Sequence, residues 1–149
     1  MNLDENKKVS VKIEDLPRVW GNAPLLRKVF INLINNAIKY CDKDIAEIKI
    51  GYEKSEHKKL GEFGIFYVED NGSGIPKEDL SDLFVMFRRG KDAEKKCDGI
   101  GIGLSVVKQI IELHFGNIDV ESEVGKGTKF VFSLPMEDIS IEHFGSAQV

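Results

Sequence analysis

Between Leu25 and Cys41 the apolar residues Leu26, Val29, Phe30, Leu33, Ala37 and Cys41 recur at helical spacing, so only an amphipathic helix turns them to one side. Asn22 is placed to cap that helix and Pro24 falls near its first turn. A second helix follows through Leu104, Val107 and Ile111 and stops near Gly116. Elsewhere the apolar period drops to two. Val9, Val11 and Ile13 predict one strand, Ile48, Ile50 and Tyr52 a second, and Phe63, Ile65 and Tyr67 a third. Ile118 with Val120 and Phe130 with Phe132 predict two more, joined by a turn at Gly125 to Gly127. A charged loop is expected around Ser55 to Gly61, and a short helix from Pro76 through Leu80, Leu83 and Phe84. Two or three helices with about five mostly antiparallel strands predict an α+β fold. Its expected form is a two-layer α/β sandwich, with a mixed sheet and the helices on one face.

The chain of 149 residues is long enough for one core without disulfides or a structural metal. The expected unit runs over 9–135, after a polar lead at 1–8 and before a tail at 136–149. No apolar stretch approaches the ~18 residues of a membrane span, and the start MNLDENKK is no signal peptide, so a cytoplasmic domain is expected. Cys41 and Cys97 lack metal-site or redox spacing and read as reduced thiols. With 21 basic against 25 acidic residues the chain carries −4, which argues against a nucleic-acid partner. Trp20 reads as a packing residue. Residues 88–98 hold eight charges in eleven positions and almost nothing to bury, so they are expected to be a mobile loop.

Three groups of residues carry chemistry. Asn32, Asn36 and Lys39 are four and three apart, so they form one stripe beside the apolar face of the first helix. Asparagine is a mediocre helix former, and three of them (Asn32, Asn35, Asn36) oppose the helix that the apolar pattern demands. An amide oxygen can ligate Mg²⁺ and a lysine can offset polyphosphate charge, although a solvated face would also accommodate the stripe. Asp70 ends a strand ahead of Gly72 and Gly74. Its carboxylate can accept the amino hydrogens of adenine and would oppose the O6 of guanine, while an Asp-Asn-Gly turn alone would also explain it. Gly99, Gly101 and Gly103 precede the second helix, where exposed amides favour phosphate or where glycines serve as a hinge. No dinucleotide fingerprint, Walker A box or protein-kinase signature is present.

Taken together, these segments resemble the ATP-binding catalytic domain of sensor histidine kinases, in the gyrase, chaperone and mismatch-repair ATPase superfamily, over roughly residues 9–135. Asn32 to Tyr40 resembles its N box, Asp70 to Pro76 the G1 box, and Phe84 with Phe87 the F box. Gly99 to Leu104 resembles the G2 box and Gly125 to Thr128 the last glycine box. The resemblance implies the Bergerat ATP-binding fold, with ATP and Mg²⁺ held under a lid at about 88–102. By resemblance Asn36 would bind Mg²⁺ with Asn32 close by, and Lys39 and Tyr40 would line phosphates and ribose. Asp70 would read adenine, with Gly72, Gly74 and Ile75 shaping its pocket and Thr128 nearby. Phe87 would anchor the lid and Arg89 would approach the γ-phosphate. Gly99, Gly101, Gly103 and Leu104 would meet the phosphates. Two departures, Val85-Met86 inside the F box and Phe115 at a customary glycine, bear on the lid and on partner docking rather than on the nucleotide contacts.

Hydrolases of the superfamily usually carry a glutamate where Asn32 stands, and an amide cannot act as that base. The resemblance therefore implies phosphoryl transfer to a histidine on a separate dimerisation domain, and then to a response regulator receiver domain. None of His57, His114 and His143 is followed by the acid that usually marks the acceptor. The domain alone is expected to be monomeric, within a homodimeric parent whose attachment to a membrane these residues leave open. An ATP-binding switch without phosphotransfer, or a serine kinase of the anti-sigma type, is the alternative.

Overall fold

The computed structural model describes residues 7–84 and 100–139, with only the backbone given for 100–102. Within them one sheet has the order β1-β2-β3-β5-β4. Its strands are β1 (Lys8–Ile13), β2 (Ile45–Lys58), β3 (Gly61–Asp70), β4 (Ile118–Glu123) and β5 (Gly127–Pro135). Strand β1 runs parallel to β2, and every other pair is antiparallel. Helices α1 (Ala23–Lys39) and α3 (Ile100–Leu113) pack on each other and on the same face of the sheet, while the short α2 (Lys77–Leu80) lies near β4. The predicted two-layer α/β architecture is thus the observed one.

The core forms where the helical and strand periodicities meet. Leu26, Val29, Leu33 and Ala37 of α1 and Leu104, Val107 and Ile111 of α3 close over Ile48, Ile50, Phe66, Val68, Phe130 and Phe132. Burying each larger side chain contributes about 1.5–3 kcal/mol before ordering costs. Phe132 meets Phe30 edge-on at 5.6 Å and stacks with Phe66 at 6.1 Å, which ties α1 to β3 and β5. Asn22 caps α1 as predicted, its side chain accepting the Leu25 N–H at 3.0 Å.

Several local expectations fail for physical reasons. Residues 55–58 are strand, and the hairpin turns only at Lys59–Leu60. Strand pairing needs only backbone groups, so an exposed hairpin tolerates the polar run from Glu53 to Lys58 that hides it from a hydrophobic pattern. His57 therefore lies in β2. The short helix ends at Leu80 and continues as turns, although Leu83 is buried. In β1, Val9, Val11 and Ile13 align with Ala46, Ile48 and Ile50 and so face the helix side, yet they stay exposed. They occupy the edge strand, while α1 packs over β2 and β3. Trp20 is 52% exposed, so no buried packing role holds it; its backbone N–H bonds to Pro135 O at 2.8 Å. Beyond Pro135 the chain continues onto the hairpin through Met136 N to Glu62 O at 2.9 Å, and Ile139 is buried.

At the opposite end of the helices, His114 is buried and joins α3 to α1. Its Nδ1–H donates to Ile110 O at 2.8 Å, leaving Nε2 to accept the Asn22 N–H at 3.0 Å. Phe115 follows in the left-handed region at φ 64°, and Gly116 N–H closes back on Ile111 O at 2.9 Å.

Candidate functional site

One side of α1 connects the two glycine-rich segments. Asn32 Nδ2 donates to Gly103 O in α3 at 3.4 Å. Two turns later Tyr40 O accepts both the backbone N–H and the hydroxyl of Ser73, each at 3.1 Å, which pins the helix end to the 70–76 loop. Asn36 lies between, half-buried, and its side-chain amide makes no hydrogen bond to the other described residues. Lys39 Nζ rests 5.4 Å from the Tyr40 ring centroid. Gly101 lies in the first described turn of α3, and a side chain at Gly103 would project into open space. The Leu104 side chain, by contrast, is packed in the core, so only its backbone is left for a ligand contact. Amide side chains, a lysine and the described start of α3 thus share one side of α1, a donor set that suits an anionic ligand.

Asp70 is the last residue of β3 and enters the 70–76 loop. Its Oδ1 accepts the backbone N–H of Gly72 at 2.8 Å and that of Thr128 at 3.2 Å. Because Glu69 pairs with Lys129 on the solvent face, Asp70 and Thr128 lie one step on and turn toward the helices. Oδ2 takes no hydrogen bond from the described residues. Burial pushes the Asp70 pKa above the usual carboxylate value; the two backbone N–H groups and Lys43 oppose this, and Glu69 adds to it. Among the described residues Asp70 is therefore both the turn-forming residue and an acceptor with one oxygen to spare. Asn71 is structural: its amide oxygen accepts Glu47 N–H at 2.9 Å and its nitrogen donates to Ile45 O at 3.0 Å.

Close packing, not only flexibility, explains the glycines. A Cβ at Gly72 would lie 2.9 Å from Asp70 Oδ1 and 3.0 Å from Tyr40 O. Gly74, at φ 78°, and Gly127, at φ 123°, would drive a Cβ to 2.2 Å of Glu123 O and 2.0 Å of Asp70 O. These contacts let the β4–β5 hairpin clasp the 70–76 loop, with Gly125 N bonded to Ser73 O at 2.9 Å.

The sequence reading missed Ser122. Its Oγ accepts the Ile75 N–H at 2.8 Å, donates to Gly127 O at 2.9 Å and lies 2.8 Å from Thr128 Oγ1. Its signal was available, since Ile118, Val120 and Ser122 alternate on one face of β4 and the third is polar. Ile75 packs partly against the core, and Phe84 meets Phe130 edge-on at 6.2 Å. Phe87, Arg89 and Gly99, the departures at Val85 and Met86, and the lid through residue 99 fall outside the described residues, as do Cys97 and His143. Among the described residues no group of His, Cys, Asp and Glu forms a metal site, so a divalent ion here would depend on amide and phosphate oxygens. No helix among the described residues is long and apolar enough to cross a membrane.

Comparison with known proteins places these residues in a wider set. The model of the histidine kinase-, DNA gyrase B- and HSP90-like ATPases matches residues 21–138. Cyanobacterial phytochrome A of Nostoc sp. is 39% identical over 123 residues, which are 83% of this chain and 15% of that protein. The adaptive-response sensory kinase SasA of Synechococcus elongatus is 37% identical over 82% of this chain and 30% of its own length. The methanogenesis regulatory histidine kinase FilI of Methanothrix harundinacea is 36% identical over 82% of this chain and 13% of its own. The chain therefore spans less than a third of these relatives. Among solved structures, the catalytic domain of histidine kinase ThkA superposes with TM-score 0.66 at 28% identity, covering 88% of this chain and 80% of that one. The mycobacterial sensor histidine kinase MprB gives 0.68 at 23% identity over 87% and 84%, a likeness of fold.

Proposed function

The chain belongs to the family of histidine kinase-, DNA gyrase B- and HSP90-like ATPases, and on that premise we propose that it binds ATP with Mg²⁺ and presents the γ-phosphate to a histidine on a separate dimerisation domain. Relatives named as sensory and histidine kinases support the kinase class. The observation that carries the reading is Asp70 Oδ2, which takes no hydrogen bond from the described residues and stands beside Thr128, together with the half-buried Asn36 and the Asn32 link from α1 to α3.

Asp70 Oδ2 accepts hydrogen from the adenine amino group, and guanine would set its O6 against that acceptor. The Asn36 amide, not engaged elsewhere among the described residues, suits a Mg²⁺ ligand alongside phosphate oxygens. When bound, the ion offsets phosphate charge. Lys39 and the backbone amides at the start of α3 complete the anion-binding side. Asn32 supplies no base, so the pocket aligns the phosphoryl group for an incoming nucleophile and does not activate water. From the acceptor histidine the group would pass to a response regulator receiver domain.

The test is incubation with ATP, Mg²⁺ and a histidine-bearing dimerisation domain. Formation of an acid-labile, alkali-stable phosphoryl group on that domain is expected. ATP binding without any such product would leave the switch or the anti-sigma-type serine kinase.

A further inference from the structure

Ser122 has one proton and two lone pairs, and three neighbours compete for them. The Ile75 N–H, at 2.8 Å, can only donate, so it takes one lone pair. Gly127 O, at 2.9 Å, can only accept, so it takes the proton. What remains is one lone pair facing Thr128 Oγ1 at 2.8 Å, which leaves Thr128 as the donor in that contact. With its proton directed at Ser122, Thr128 offers only lone pairs in other directions. Its neighbour Asp70, held by the Thr128 N–H at 3.2 Å, offers the unused carboxylate oxygen. The Asp70 and Thr128 side chains therefore present two acceptors and no proton.

We propose that Ser122 is a positioning residue that fixes the polarity of Thr128, so that the base end of the site selects an exocyclic amine with two hydrogens over a carbonyl. The inference rests on the ATP-site reading above. It adds that base discrimination is shared between Asp70 and a serine two strands away, paired with Thr128, that need not touch the nucleotide. Ser122 also fixes Ile75 and Gly127, so the same atom couples pocket shape to pocket polarity. Removing the Ser122 hydroxyl frees the Thr128 proton to rotate toward an incoming O6, and a carbonyl base becomes tolerable.

The experiment is calorimetric titration of the wild-type chain, Ser122→Ala, Ser122→Cys and Ser122→Thr with ATP and with inosine triphosphate, which carries O6 in place of the amine. Wild type should prefer ATP. Ser122→Ala should narrow the ATP-to-inosine preference at least about tenfold, mainly by tighter inosine triphosphate binding. Ser122→Cys, with a weak hydrogen-bonding thiol of similar size, should do the same if the alanine variant does not fold. Ser122→Thr should restore the wild-type ratio. A role limited to holding the loop would weaken both nucleotides equally, and that unchanged ratio would overturn the proposal. Failure of wild type to bind ATP at all would instead overturn the underlying site.

Discussion

Thr128 donates its backbone N–H to Asp70 Oδ1 at 3.2 Å, across the end of the β3–β5 pair. This bond and the one from Gly72 hold the carboxylate in a half-buried position where burial still raises its pKa above the ordinary value. A carboxyl whose folded-state pKa is raised contributes stability below its unfolded value and loses it as pH rises through the folded value. At neutral pH the ionised Asp70 therefore costs stability in the nucleotide-free chain. Asp70→Asn should be at least as stable as wild type in urea at pH 7, with any advantage shrinking as pH falls toward the ordinary carboxylate range. A variant clearly less stable at pH 7 would contradict the balance described.

Phe115 holds φ 64°, a conformation that costs a non-glycine residue about 1–2 kcal/mol. Glycine there removes the strain but adds unfolded-state entropy. Phe115→Gly should stabilise the chain by about 0.5–1 kcal/mol, read as a melting-temperature rise of a few degrees. No rise would mean that contacts of the ring offset the strain.

Gly127 and Gly125 separate steric conflict from backbone strain. Both have positive φ, but a Cβ at Gly125 meets nothing within 4 Å, whereas one at Gly127 would lie 2.0 Å from Asp70 O. Gly127→Ala should destabilise by roughly 2 kcal/mol or more, and Gly125→Ala by about half of that. Equal losses in denaturant titrations would remove the close approach as the cause.

Asn36→Ala should abolish the part of ATP affinity that depends on Mg²⁺, because the half-buried amide is the proposed ligand. The check is titration with Mg²⁺ and with a chelator present. An intact difference between the two conditions would place the ion elsewhere.

Much of the architecture was legible because α1 and α3 bury wide apolar stripes and β5 carries Phe130, Phe132 and Leu134 at alternate positions. In β3 the strand was legible but its core face was not, since Phe66 and Val68 face the helices while Phe63, Ile65 and Tyr67 lie on the other side. What escaped detection follows from the same physics. The polar end of β2 pairs through its backbone, which leaves no hydrophobic mark. The alternation in β1 is real, but sheet order, a long-range property, decides that no helix covers it. At the site, Asp70 and Thr128 were readable from their motifs. Ser122 showed only as a polar residue on the inner face of β4, and its role comes from contacts to Ile75, Gly127 and Thr128 that the fold alone brings together. The reach of Asn32 to Gly103 likewise depends on how two helices pack.

The central claim is that Asp70 reads the base of a bound adenine nucleotide. Calorimetric titration of ATP into wild type and Asp70→Asn tests it most directly. Wild type should bind at millimolar affinity or better, and the folded variant at least about tenfold more weakly, since ~1.4 kcal/mol is modest for a hydrogen bond to a half-buried charge. Equal affinity in a folded Asp70→Asn chain would contradict the account.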